Sequence, residues 1–137
     1  MIRGIDHVAI AVENIDETLA MFKNTLGLEA LHREVIAGYG VEVATIRLGP
    51  TTIELVQGTT PDSPITKYIE KRGPGIHHIA LEVDDIAAEL ARLKAGGAEL
   101  IDATPRTGKE ESRVAFIHPR STGKVLYELV QNKTPKR

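Results

Sequence analysis

Four polar residues occupy positions in otherwise apolar strand-like stretches, and they come in two pairs. His7 lies in Ile5-Asp6-His7-Val8-Ala9-Ile10-Ala11-Val12, and His78 lies in Ile76-His77-His78-Ile79-Ala80-Leu81-Glu82-Val83, 71 positions later. Glu54 and Glu128 each open a Glu-Leu-Val-Gln tetrapeptide that recurs letter for letter, 74 positions apart. A carboxylate among apolar side chains is expensive to bury without a partner. Two carboxylates and two imidazoles at repeat-related places suggest one shared partner, and a divalent cation fits. Imidazole nitrogens with carboxylate oxygens suit borderline ions such as Co²⁺, Mn²⁺, Zn²⁺ or Ni²⁺ better than Ca²⁺. Four protein ligands on an octahedral ion leave two positions open for a bidentate substrate.

Strand alternation decides which neighbours share a face with each ligand candidate. His7 falls with Ile5, Ala9 and Ala11, and His78 falls with Ile76 and Ala80. The small alanines leave space in front of the imidazoles. His77 points to the opposite face and is the poorer candidate. Glu54 is flanked by Ile53 and Leu55, and Glu128 by Tyr127 and Leu129.

The elements that must position these residues follow the same repeat. In the first half, alternation over 5–12 predicts a strand, and Leu19, Phe22 and Leu26 before Gly27 predict a helix. Strands follow near 29–36, 41–48 and 51–57. Ser63-Pro64 reads as the N-cap and first residue of a linker helix that Gly73-Pro74-Gly75 ends. The second half gives a strand at 76–83 and a helix near 85–95. Further strands are expected near 99–102, 113–118 and 125–131. The expected fold is α+β, a single domain over 1–137. It comprises two tandem βαβββ modules forming a cupped, mostly antiparallel sheet around a metal site. Module one spans about 1–58, the linker helix about 59–75 and module two about 76–133.

Composition removes several function classes. The net charge is −2 and basic residues are scattered, so a nucleic-acid groove has no electrostatic support. Aromatic residues make up only 4% and Trp is absent, which argues against base-stacking platforms. With no Cys, disulfides, thiolate metal sites and Cys nucleophiles are excluded. No apolar run reaches membrane-spanning length, and a cytoplasmic location is the expectation.

The motifs together resemble the vicinal oxygen chelate superfamily, and within it the methylmalonyl-CoA epimerase family. The resemblance is carried by Ile5–Val12, Asp62-Ser63-Pro64-Ile65, Gly75-Ile76-His77-His78-Ile79-Ala80, Phe116-Ile117-His118-Pro119 and Gly123–Leu129. It implies one divalent metal per subunit, Co²⁺ foremost, held by His7, Glu54, His78 and Glu128. It implies interconversion of (2R)- and (2S)-methylmalonyl-CoA through an enolate, with Glu128 and Glu54 as proton carriers, and a homodimer. Some family members carry another catalytic Glu on the strand before Glu54; Glu42 is nearest here, but about one residue out of register. Ser112 matches a position near the substrate carboxylate. The stretch Gly108-Lys109-Glu110-Glu111-Ser112-Arg113 departs from the glycine-rich loop usual in the family. His118, before Pro119, reads as a turn residue. The alternatives are a glyoxalase I-type isomerase acting on a glutathione hemithioacetal, a ring-cleaving Fe(II) dioxygenase, and a non-catalytic small-molecule-binding module of the same fold.

Overall fold

The computed structural model describes residues Met1–Arg137. The chain is α+β and forms two compact units, one comprising Val8–His77 and the other Met1–His7 together with His78–Arg137. Strand β1 (Ile2–Ala11) contributes its first residues to the latter unit and its last to the former. No helix is long and apolar enough to cross a membrane.

In the Val8–His77 unit, helix α1 (Ile15–Leu26) starts where the Asn14 side chain accepts the Glu17 N–H at 2.9 Å. It stops at Gly27, whose φ of 68° is a left-handed conformation that glycine adopts without strain. Strands β2 (His32–Ile36), β3 (Val41–Leu48) and β4 (Thr51–Gly58) pair antiparallel in succession. The α1 face of the unit buries Val12, Ile15, Phe22, Ala44, Ile46 and Leu55. Ala9, Ala11, Val41, Val43 and Val56 pack with Ile65 of helix α2 (Pro64–Arg72). The Ser63 hydroxyl accepts the Ile65 N–H, so this helix begins where its sequence indicates.

The other unit repeats the plan. Strand β5 (Gly75–Val83), of which His78–Val83 belong here, leads to helix α3 (Ile86–Ala95). The Asp85 carboxylate accepts the Ala88 N–H, as Asn14 serves α1. Strand order continues β5-β8-β7-β6, with β6 (Arg106–Thr107), β7 (Arg113–Ile117) and β8 (Tyr127–Gln131). β8 is parallel to β5 and antiparallel to β7. Val83, Ile86, Leu90, Ala115, Ile117 and Leu129 form the core beneath α3.

The repeated Gln of Glu-Leu-Val-Gln acquires a reason. The Gln57 side-chain oxygen accepts the N–H of Ile15, the first residue of α1, at 2.8 Å. Gln131 does the same for Ile86, the first residue of α3, at 2.9 Å. Each strand thereby satisfies a backbone N–H that the helix it supports leaves without an intrahelical partner.

One expected strand is reduced. Residues 99–102 make a single bridge, Leu100 with Ile117. The N–H groups of Ile101 and Asp102 both donate to the Phe116 carbonyl, and the Asp102 carboxylate accepts the Phe116 N–H at 2.9 Å. A side chain thus takes the hydrogen bond that would have extended the ladder. Strand β2 also begins three residues later, and β8 two residues later, than the sequence pattern suggests.

Candidate functional site

Three strands of the unit formed by Met1–His7 and His78–Arg137 bring their ligand-type side chains to one point. β1 supplies His7, β5 supplies His78 and β8 supplies Glu128. The parallel register sets Ala80 beside Glu128, and His78 lies two residues before Ala80 on the same face. Across β8, Phe116 is the antiparallel partner of Glu128, and its ring meets the His78 ring edge-on at 5.2 Å. Ala80 is fully buried and has only a methyl group, which leaves the space in front of it to the carboxylate.

The donor atoms form a nearly equilateral triangle. His7 Nε2 lies 3.3 Å from His78 Nε2, and Glu128 Oε1 lies 3.2 Å from the first and 3.3 Å from the second. Glu128 Oε1 is buried and makes no hydrogen bond of good geometry. The other ring nitrogen of His7, Nδ1, lies 2.7 Å from Asp6 Oδ2. With the Nδ1 proton shared there, Nε2 is the His7 atom that would ligate a cation in the triangle. Three ligand-type atoms packed this closely form a group that could hold a metal ion. At metal–ligand distances of ~2.1 Å, cis donors around one ion stand about 3.0–3.4 Å apart, so the triangle fits a divalent metal.

Two carboxylates here are held ionised. Burial alone would raise Glu128, but the two facing imidazoles hold it down to about 2. Burial also works against Asp6, yet hydrogen bonds from His7 and Asn132 and the nearby Lys136 hold it well below the usual carboxylate range.

The family model for the glyoxalase/bleomycin resistance protein/dioxygenase superfamily, the same group described above as vicinal oxygen chelate proteins, matches residues 6–116. The chain belongs to that superfamily. Relatives within it include the ethylmalonyl-CoA/methylmalonyl-CoA epimerase of Cereibacter sphaeroides, 40% identical over 96% of this chain and 99% of that protein. The mitochondrial methylmalonyl-CoA epimerase of Homo sapiens is 36% identical over 93% of this chain and 73% of that protein. Among solved structures, a variant of Streptomyces coelicolor methylmalonyl-CoA epimerase in complex with 2-nitronate-propionyl-CoA superposes with a TM-score of 0.93. It is 31% identical and covers 100% of this chain and 99% of its own.

Of the four residues expected to hold a metal, three meet in the triangle: His7, His78 and Glu128. Glu54 lies half-buried on β4 of the Val8–His77 unit, opposite Thr45. Glu42, on β3, receives two hydrogen bonds from the Arg33 guanidinium, at 2.9 and 3.2 Å. Ser112 is buried at the end of the 108–112 loop. In that loop Glu110 and Glu111 adopt φ of 53° and 61°, left-handed conformations that glycine would take at no steric cost. His77 packs edge-on against Tyr68 at 4.8 Å and is not among the triangle's residues. His118 accepts the Arg120 N–H and caps the 3₁₀ turn Pro119–Ser121, as a turn residue should.

Asp6, which the sequence pattern does not single out, adjoins His7. A carboxylate next to a ligand-type His was the available signal. For Asn132 and Lys136, 126 and 130 residues from Asp6 in the chain, there was none.

Proposed function

We propose that the protein interconverts (2R)- and (2S)-methylmalonyl-CoA as an isomerase of the racemase/epimerase class. The observation that carries this is the buried His7–His78–Glu128 triangle, with its carboxylate oxygen lacking a hydrogen bond. Its setting supports it: the chain resembles acyl-CoA epimerases over nearly its full length.

The proton at C2 of this substrate lies between a thioester and a carboxylate. Its removal leaves an enolate, and its return to the opposite face inverts the centre. His7 Nε2, His78 Nε2 and Glu128 Oε1 would hold the divalent ion, with Glu54 as the fourth ligand by repeat equivalence. Co²⁺ is the foremost choice, ahead of Mn²⁺, Zn²⁺ and Ni²⁺. When bound, the ion supplies Lewis-acid stabilisation of the developing oxyanion, worth several kcal/mol. Glu128 stays ionised down to acid pH, so its second oxygen is a carboxylate base throughout the physiological range. A positioned base contributes about 10²–10⁴-fold. Glu54 is the second proton carrier in this reading, and Glu42, engaged by Arg33, is the lesser candidate. The Ser112 hydroxyl would donate to the substrate carboxylate. Homodimer formation belongs to the same proposal, and sedimentation would test it.

The deciding experiment incubates Co²⁺-loaded protein with methylmalonyl-CoA in D₂O and follows the C2 proton by NMR, beside a chelator-treated sample. Metal-dependent exchange at C2 is the expected result, and a coupled stereospecific mutase then reads inversion. Absence of exchange with Co²⁺ bound removes the epimerase reading and leaves the metal site. Turnover of a glutathione hemithioacetal would then favour the glyoxalase-type alternative.

A further inference from the structure

Behind the triangle lies a polar cluster that belongs to no ligand set. Asp6 and Glu82 are both buried, with relative exposures of 4% and 2%. The Asn132 side-chain amide bridges them, donating to Asp6 Oδ1 at 2.8 Å and to Glu82 Oε2 at 2.9 Å. Lys136 completes the pattern. Its ammonium stands 3.2 Å from Asp6 Oδ1, and its backbone N–H donates to Glu82 Oε2 at 2.8 Å. The Arg137 guanidinium donates to Glu82 Oε1 at 3.3 Å and to the Ile5 carbonyl at 2.8 Å. It lies against Gly4, where a Cβ would stand 2.8 Å from its Nε and would displace the guanidinium.

Two neighbouring carboxylates buried this deeply repel one another, and each loses its hydration. The segment 132–137 meets both costs with one amide, two cations and a backbone N–H. Asp6 has one remaining oxygen, Oδ2, and that oxygen faces His7 Nδ1 at 2.7 Å. A carboxylate that accepts the Nδ1 proton selects the imidazole tautomer and ring orientation in which Nε2 is the ligand atom. The tail thereby holds the group that holds the ligand.

We infer that Asn132 and Lys136 are positioning residues of the metal centre: through Asp6 they keep His7 in the Nε2-ligating tautomer. The inference rests on the metal reading of the triangle. The direct partner of a ligating imidazole, here Asp6, typically costs about 10–100-fold in metal affinity when removed.

The test uses full-length protein with Asn132→Ala, Lys136→Met and Asp6→Asn. Calorimetry measures Co²⁺ affinity, and ¹⁵N-resolved NMR of the His7 ring in metal-free protein reads its tautomer at a pH where imidazoles are neutral. Wild-type His7 should carry its proton on Nδ1. Asp6→Asn should bind Co²⁺ about 10–100-fold more weakly, Asn132→Ala and Lys136→Met should weaken it by a smaller factor, and all three should show a mixed His7 tautomer with unchanged circular dichroism. Lys136→Met keeps the backbone bond to Glu82 and so tests the ammonium alone if Asn132→Ala unfolds. Unchanged affinity with an unchanged tautomer in the folded variants overturns the inference. Should wild-type protein bind no Co²⁺, the metal reading falls. The tautomer comparison then decides the positioning role by itself, and identical spectra in wild type and variants reject it.

Discussion

At Glu128, burial and charge pull in opposite directions, and charge prevails. Its carboxyl is held at about 2 against an ordinary 4.5, because two imidazoles face it. A group whose folded pKa is depressed stabilises the protein fully above its ordinary value and loses that contribution as pH falls through the folded one. Urea unfolding of the metal-free protein should therefore show stability falling between about pH 4.5 and 2, with a flatter acid limb in Glu128→Gln. The same variant should keep its fold and lose about 10²–10⁴-fold in C2 proton exchange, as expected of a missing acid/base. Normal exchange in folded Glu128→Gln would remove it from the chemistry. Glu110 offers a second residue-scale prediction. Its φ of 53° and ψ of 41° disfavour any L side chain by roughly 1–2 kcal/mol. A glycine there would relieve that strain while adding about 0.4–1 kcal/mol of unfolded-state entropy. Glu110→Gly should therefore stabilise the protein by about 0.5–1 kcal/mol in thermal melts.

At the scale of elements, each Glu-Leu-Val-Gln strand has a structural task at its last residue. Gln57 and Gln131 accept the first N–H of α1 and α3, so a strand fixes where its helix begins. The Ile15 and Ile86 side chains at those helix starts are fully buried. A helix shifted by one residue would take them out of their cores. Removing the acceptor strands a partly buried N–H, at a cost of about 1–2 kcal/mol. Gln131→Ala should lose stability by about that amount, and Gln57→Ala should do likewise. Hydrogen exchange would show the loss at the first turn of α3, whereas protection unchanged at Ile86 would contradict it. The repeat was legible in the sequence as a recurring tetrapeptide. The use of its Gln was not, because the partner N–H lies 42 residues away in one half and 45 in the other.

At the scale of the molecule, the triangle gathers positions 7, 78 and 128 from three strands of one compact unit. An unfolded chain holds these donors far apart, so a metal bound there stabilises only the folded state. At a free metal concentration 100-fold above Kd the gain is about 2.7 kcal/mol. For a chain of this length that corresponds to a rise in Tm of about 10 °C, lost again on chelation. A melting temperature indifferent to Co²⁺ and chelator would count against the site.

Composition, periodicity and repetition were enough to reveal the α+β class, three helices and the duplicated halves. They did so because these features depend on local spacing: alternation for strands, caps for helices, recurrence for modules. His7, His78 and Glu128 were legible for the same reason, each being a polar residue in an apolar strand at a repeat-related place. Only the tertiary structure decided that 99–102 would pair through the Asp102 side chain, because that choice depends on the Phe116 N–H across the sheet. Only it decided that Glu42 would meet Arg33, a partner on the neighbouring strand. It alone joined Asp6 to Asn132 and Lys136. Hydrogen bonds between residues more than a hundred positions apart leave no periodic trace in a chain; they exist only once the strands have set their register.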